Sequence, residues 1–359
     1  MMSLKLFSPK EKHLCCLLFA VCYLLLILPQ AKSFEYQSGR YAFRASGHGT
    51  FGLMTETNNG LYDFRLRGQF NYAVAPGWTL GFVYAIDELA IYQDQYFTDA
   101  FIFTEGPCGR AEIGFTNSVA GKLGVGLPDV GNLRINNANL AFRHIENLGP
   151  MISNPTIVDT RYSFRVSTVS VPTNPVQVGV SFAPGFFNDN FNYQSDIAIR
   201  FRQPQGLIRY SIFAAASFID SPNDLIADIY TPTVTAESRM QFAAGTNIQY
   251  NSYNIGLTLR AIYDHNAIGM PSDGLQFGAG ISYDFLQHSV SFSYILSVVG
   301  IWNNHDTLIG DVSPFTTHTA IASYRQRFNQ NWEASFSAGA VISPDDNHPF
   351  AAANIHFRF

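Results

Sequence analysis

The stretch "DFRLRGQFNYAVAPGWTLGFVYAI" runs from Asp63 to Ile86 and poses a question of direction. Asp63, Arg65, Arg67, Gln69 and Asn71 alternate with Phe64, Leu66, Gly68, Phe70 and Tyr72. Ala75-Pro76-Gly77 interrupts the run, and Trp78, Leu80, Phe82, Tyr84 and Ile86 then resume on one side. A period of two over this length is the signature of a strand with two unlike faces, and the interruption is a tight hairpin turn. In a water-soluble hairpin the apolar face would be the core and the arginines would meet bulk solvent. Nothing in the hairpin alone says which face is inside.

The same alternation recurs to the end of the chain. Tyr41, Phe43 and Ala45 oppose Arg44 and Ser46, and Ala111, Ile113 and Phe115 oppose Arg110 and Glu112. Ile197, Ile199 and Phe201 oppose Asp196, Arg200 and Arg202, and Val290, Phe292 and Tyr294 oppose Ser289, Ser291 and Ser293. Short turns fall at 75–77, 106–108, 172–175, 203–206, 251–252, 285 and 329–331. Longer polar loops fall near 52–60, 87–96, 116–160, 184–191, 219–237, 264–273, 298–315 and 342–349. Seven short and eight long connections in strict alternation link sixteen strands, with one kind of connection at each rim. This predicts an all-β fold, an antiparallel transmembrane barrel of about sixteen strands.

Energetics then favour one direction. A strand can cross hydrocarbon only if all its backbone groups are paired, and a closed barrel has no edge. Sixteen strands enclose a lumen too wide for side chains to fill, so it holds water. Arginines turned into that lumen stay solvated, whereas each one turned toward the bilayer midplane would cost about 2–4 kcal/mol. Trp78, Trp332, Tyr84, Tyr250, Tyr253, Tyr263, Tyr283 and Tyr324 lie near turns or loops, where interfacial girdles are expected. The rival architecture is a secreted β-sandwich, propeller or lectin, which predicts neither an arginine- and serine-rich second face nor loops sorted by length.

The N-terminus points to export. Lys5, Lys10 and Lys12 precede the apolar run Leu14 to Leu28, and Ala31-Lys32-Ser33 offers a small-x-small cleavage site. The reading is a cleaved signal peptide over 1–33 followed by one barrel domain over 34–359, with an uncleaved anchor as the alternative. Cleavage would remove Cys15, Cys16 and Cys22, leaving Cys108 as the one cysteine, with no internal disulfide. It would also remove Lys5, Lys10, Lys12, Lys32 and Glu11, leaving 18 basic against 26 acidic residues and a net charge of −8. Seventeen of those basic residues are arginine, and Lys122 is the single lysine. An acidic, lysine-poor chain lacks the basic surface that nucleic acid requires.

The ending "ANIHFRF" places Ile355, Phe357 and Phe359 on one face with an aromatic as the last residue. It resembles the C-terminal strand of Gram-negative outer-membrane proteins, which the barrel-assembly machinery recognises by such a terminal aromatic. "FIFTEGPCGRAEIGFTN" (101–117) and "TRYSFRVSTVSVPTNPVQVGVSFAP" (160–184) are similar to two successive hairpins of the general porins, across essentially the whole mature chain. The resemblance implies an outer-membrane porin, a homotrimer in contact with lipid and lipopolysaccharide, passing small hydrophilic solutes and ions by passive diffusion. It further implies that the third long loop, about 116–159, folds into the lumen as a constriction.

On that reading the pore-lining candidates are Arg44, Arg65 and Arg67 as one basic patch, with Arg110, Arg161 and Arg165 as another. Glu112 shares their face, and the loop itself contributes Lys122, Asp129, Arg134, Arg143 and Glu146. Asp129 and Glu146 facing the first patch would set up a transverse field that orients polar solutes. The plainer alternative is that the arginines pair with Asp63, Glu112 and Asp196 merely to solvate the wall. Acidic residues in the outer loops, such as Asp220, Asp224, Asp228 and Glu237, would draw cations, so the net selectivity has no sign at this level. "GKLGVGLPDVG" (121–131) clusters glycines without Walker spacing, and the scattered histidines lack metal-ligand spacing. No cofactor, metal or catalytic group is expected. A substrate-specific channel, and a barrel acting as adhesin or protease, stand as alternatives.

Overall fold

The computed structural model describes residues 33–55, 60–89, 96–131, 163–171, 175–185, 191–220, 237–265, 274–300, 315–344 and 347–359. Strands β2 (Tyr41–Met54), β3 (Gly60–Ala75), β4 (Trp78–Leu89), β5 (Tyr96–Gly106) and β6 (Gly109–Phe115) lead into a short helix, α1 (Val119–Leu123). After it come β7 (Phe164–Ser170), β8 (Val176–Pro184), β9 (Tyr193–Gln203), β10 (Ile208–Asp220) and β11 (Ser238–Tyr250). The series ends with β12 (Tyr253–His265), β13 (Gly274–Phe285), β14 (His288–Val299), β15 (Phe315–Arg327), β16 (Trp332–Ile342) and β17 (Asn347–Arg358). Each strand pairs antiparallel with the next, and β17 returns to pair with β2. The result is a closed barrel of sixteen strands. Most of them exceed the 9–11 tilted residues that a bilayer requires.

The sorting of connections by length holds for most of the chain, but the links between β2 and β3 (55–59) and between β16 and β17 (343–346) are no longer than the short-rim connections 171–175 and 328–331. Pro76-Gly77, Pro107-Cys108 and Asn251-Ser252 make tight turns at one rim, and Cys108 is exposed and unbridged. The turn expected at Phe285 falls one residue later, on Leu286 and Gln287, with Leu286 at positive φ. The residues proposed as a signal peptide lie outside the described residues up to position 32.

One element goes beyond the sequence reading. A short strand, β1 (Phe34–Ser38), pairs with Tyr41–Ala45 at the start of β2. Strand β17 occupies the same edge of β2 further along, over His48–Met54. Gly47 and Phe359 exchange backbone hydrogen bonds at 3.1 and 3.0 Å. One edge of β2 is thus satisfied first by β1 and then by β17, so the backbone groups at the closure seam find partners along its length.

Glycine fixes how that seam is covered. A Cβ on Gly49 would lie 2.3 Å from the Phe357 ring, and one on Gly47 2.5 Å from the Phe359 ring. Both aromatic rings therefore lie over bare backbone of the neighbouring strand. Phe357 also stacks on Phe51 (6.3 Å between ring centroids) and contacts Trp332 (5.3 Å). Although its neighbour Ile355 is exposed, Phe357 is buried. Replacing Gly49 with Leu should displace the Phe357 ring and destabilise the folded barrel by about 1–3 kcal/mol, as overpacking does. Urea unfolding of the refolded protein in lipid should show this as a lower midpoint. An unchanged midpoint would mean the seam does not depend on that contact.

Candidate functional site: a lumen crossed by a loop

The two faces of the wall differ as the alternation requires. On β8, Val176, Val178, Val180 and Phe182 are exposed, whereas Gln177, Gly179, Ser181 and Ala183 are buried. On β14, Phe292 is exposed while Ser291 and Ser293 are buried. Polar side chains are covered by protein and apolar ones are bare, the reverse of a soluble fold.

The segment after β6 identifies the concave face. Ser118 caps α1 by accepting from Gly121 N at 3.1 Å, and Val119 N donates to Ser181 Oγ on β8 at 3.2 Å. Val119, Ala120, Leu123 and Val125 then pack against Ala198 on β9, Phe213 and Ala215 on β10, and Ala243 on β11. Further on, Ser293 on β14 donates to the Pro128 carbonyl at 3.1 Å, and Val130 N donates to Ser291 Oγ at 3.3 Å. The Gly131 carbonyl accepts from Ser335 Oγ on β16 at 2.8 Å and from Asn354 Nδ2 on β17 at 3.1 Å.

These contacts span nine inter-strand steps, β8 to β17, or about 43 Å along the wall at roughly 4.8 Å per step. The chain from Val119 to Gly131 reaches only about 33 Å: one helical stretch at ~1.5 Å per residue, then eight residues at ~3.4 Å. A path outside the curve would be longer than the wall itself. The segment must therefore cut across the inside. The face bearing serines, alanines and arginines is the luminal one, and the exposed apolar face is the outer one.

Small residues make the seat for this belt. A Cβ on Gly256 would lie 2.6 Å from Pro128 Cδ, one on Gly278 2.9 Å from Leu127 Cδ1, and one on Gly245 2.9 Å from the Val125 carbonyl. The motif "LGVGLPDVG" (123–131) is thus an extended strip whose Leu123, Val125, Leu127 and Val130 are buried. Gly124 and Gly126 between them are only partly covered. Burying these four side chains is what holds a low-charge segment inside a hydrophilic tube.

An ionic latch closes the start of the belt. Lys122 Nζ lies 2.5 Å from Glu112 Oε2 and 2.9 Å from Ser167 Oγ. Glu112 also accepts from Thr116 Oγ1 at 3.1 Å and from Arg110 Nε at 2.7 Å. The Arg110 guanidinium carbon lies over the Phe103 ring, 3.7 Å from its centroid, and its Nη1 is 3.6 Å from Glu105. Such a cation–π contact adds to the ion pairs in holding the guanidinium in place.

The remaining candidates are distributed around the wall. Arg65 pairs with buried Asp99 at 2.6 Å. Arg67 lies in electrostatic range of Arg65, Asp99, Arg110 and Glu112, so these five groups form one mixed cluster on β3, β5 and β6. Arg44 is not in that cluster; it is exposed and pairs with Glu35 of β1 at 3.2 Å. Arg165 is fully buried and donates to Asp196 at 2.5 Å and to Ser181 at 3.3 Å, behind the start of the belt. Arg110 and Arg165 therefore engage separate carboxylates. Asp129 turns back to accept from Gly131 N at 2.8 Å, shaping the belt near β16 and β17. Arg134, Arg143, Glu146 and Arg161 lie outside the described residues.

Two groups of residues that matter here were not singled out from sequence. Phe101 and Phe103 are buried on the luminal side of β5, against an otherwise outward run of aromatics. Phe103 fits because the residue paired with it is Gly81, where a Cβ would come within 2.2 Å of the ring. The wall glycines 245, 256 and 278 form the other group. Their signal was present as glycines at luminal positions of neighbouring strands, where β propensity gives no reason for them.

No family model matches the chain, and no curated protein matches it in sequence. Its fold does match solved structures. An OmpF of Salmonella typhi in complex with daunomycin superimposes with a TM-score of 0.63 at 11% identity, covering 91% of this chain and 100% of the other. An anion-selective porin from Comamonas acidovorans gives 0.61 at 10% identity, over 89% and 100%. OmpT, an outer membrane protein of Vibrio cholerae in trimer form, gives 0.60 at 8% identity, again over 89% and 100%. Strand number, closure and coverage agree: this chain has the sixteen-stranded transmembrane barrel fold of the porins.

Proposed function

We propose that the barrel is an outer-membrane channel through which small hydrophilic solutes and ions diffuse passively. The observation that carries this reading is the belt, Val119 to Gly131, seated across the inside of a wall lined with polar side chains. A barrel wide enough for sixteen strands is wet, and a fixed internal strip narrows it without sealing it. The mixed cluster of Arg65, Arg67, Asp99, Arg110 and Glu112 faces the remaining opening and sets a local field there. Lys122 serves as the anchor that holds the belt against Glu112. Asp129 shapes the strip, and Arg165 with Asp196 stiffens the wall behind it. Arg44 acts at the short-turn rim with Glu35. Arg134, Arg143 and Glu146 belong by sequence to the remainder of the constriction loop, and Arg161 to the basic patch with Arg110 and Arg165.

The same reading makes residues 1–33 a cleaved export signal. Ile355, Phe357 and Phe359 form the assembly signal read by the barrel-assembly machinery. Lipid and lipopolysaccharide surround the outer face, and a homotrimer is the working oligomer; one structural neighbour is in trimer form. The chemistry is transport and not catalysis. Among the described residues no group of three or more His, Cys, Asp or Glu side chains could hold a metal ion.

Refolded protein in a planar bilayer should conduct ions through discrete channels, with little saturation by any single sugar. Substituting Arg65→Ala together with Arg67→Ala should shift the reversal potential toward cations. Absence of wild-type conductance would refute the channel, and unchanged selectivity would remove these arginines from the constriction. The belt itself is open to a direct chemical check. A Cβ on Gly131 would sit 2.2 Å from Ser337 Oγ, so cysteines at 131 and 337, with Cys108→Ser, should cross-link on oxidation. The cross-linked channel should conduct like wild type. Failure to cross-link would place the segment elsewhere.

A further inference from the structure

The far end of the belt stands above a second group of luminal arginines. The Gly131 carbonyl accepts from Ser335 on β16 and Asn354 on β17, and a Cβ on Gly131 would lie 2.6 Å from Ser323 Oγ on β15. Followed toward the short-turn rim, the same strand faces carry Arg325 and Arg327 after Ser323, Glu333 beside Ser335, and Arg358 beyond Asn354. Asp284 on β13 is level with them, since it pairs with Ser289 on β14 and Ser289 pairs with Arg325.

The ion contacts in this group are loose. Arg165, Arg239 and Arg65 each lie 2.5–2.6 Å from a carboxylate. Arg325, by contrast, is 3.5 Å from Asp284 and 3.9 Å from Glu333, and Arg327 is 3.9 Å from the same Glu333. These separations exceed hydrogen-bond length. The Nε atoms of Arg325 and Arg327 are buried without a hydrogen-bond partner. Arg358 donates from Nε to a neutral acceptor, the Gln330 carbonyl, at 3.0 Å.

The three guanidiniums act on one another. Arg325 lies in electrostatic range of Arg327, Arg358, Asp284 and Glu333. Three positive groups thus share two carboxylates, and Asp284 is itself half exposed and accepts from Ser289 Oγ. Arg325 is fixed from behind, with Nη2 donating to Ser289 Oγ at 2.9 Å. Arg358 and, in part, Arg327 remain exposed. Like charges held close on a wall are stabilised by an anion that bridges them. His356 pairs in register with Glu333 and His48 with Arg358, so the imidazoles flank the cluster and add positive charge only when protonated.

We propose that Arg327 and Arg358, backed by Arg325, form a subsite for small oxyanions on the short-turn side of the belt, separate from the cluster around Arg65 and Arg67. Its ligands are solutes bearing phosphate or carboxylate, which the guanidinium fork matches in shape and charge. Passage of such solutes over the subsite rests on the channel reading, whereas binding itself needs only the folded barrel. A solute that has cleared the end of the belt meets these arginines next.

The test titrates full-length refolded barrel with inorganic phosphate at constant ionic strength and about pH 8, where imidazoles are neutral. Two readouts are followed, the urea midpoint in lipid and the chloride current in a planar bilayer. Phosphate should raise the midpoint and reduce the current in a saturable way. Arg327→Gln with Arg358→Gln should weaken its apparent affinity about tenfold or more, since two charge-assisted contacts are lost. The corresponding Lys pair should bind phosphate more weakly than wild type yet more tightly than the Gln pair. Arg209→Gln, which removes one charge from β10 at the same rim, should leave the phosphate response at wild-type strength. An undiminished response in the Gln pair, or an equal loss in Arg209→Gln, would overturn the subsite. A phosphate-shifted midpoint without any wild-type current would overturn the channel and keep the subsite. A wild-type current and midpoint both insensitive to phosphate would do the reverse.

Discussion

The structure depends on a closed backbone ladder. In hydrocarbon an unpaired amide or carbonyl costs several kcal/mol, so a sheet inserted there must have no free edge. Sixteen antiparallel strands achieve this when β17 returns to β2, and β1 completes the part of that edge that β17 does not reach. Closure also dictates the distribution of side chains. Once the ends meet, one face is convex and wet only by lipid, and the other encloses a tube. Apolar residues then belong outside and arginines inside, however unusual that looks beside a soluble fold.

A hollow tube creates a second problem, which the belt addresses. A segment from one loop must stay inside water-filled space without being expelled by solvent. Two different forces hold it. Leu123, Val125, Leu127 and Val130 bury their side chains against the wall, and serines, Asn354 and the Lys122–Glu112 pair satisfy its polar groups. The wall cooperates by omission: at Gly245, Gly256 and Gly278 a side chain would occupy the space the belt uses. Position is thereby fixed by shape, and the ionic latch at one end adds register to it.

Charge in the lumen follows a related logic. Arg165 and Arg239 are buried with a carboxylate each, and removing either partner would leave an uncompensated ion in a covered place. Arg65, Arg67 and Arg110 lie instead in one mixed cluster with Asp99 and Glu112. Arg110 also lies over the Phe103 ring, which has room there because Gly81 stands opposite. The arginines thus grade from wholly buried ion pairs to partly exposed members of a shared cluster.

The sequence by itself determined the barrel. A period of two over Asp63 to Ile86, repeated with connections alternating in length, has one closed solution at this strand number, since side-chain parity and loop sorting are local properties. It also determined that 116 onward is a special loop, from length and composition alone. Which face of the wall the loop lies on, and which arginines share carboxylates, only the tertiary structure decided. Strands far apart in the chain, such as β8 and β17, become opposite walls of one tube, and no local pattern encodes that distance. For the same reason Arg44, near Arg65 and Arg67 on adjacent strands, belongs to another pair: β1 brings Glu35 to it, and a five-residue strand leaves little trace in the alternation. The glycines of the belt seat were visible as letters, but their purpose is the absence of atoms where another part of the chain must pass.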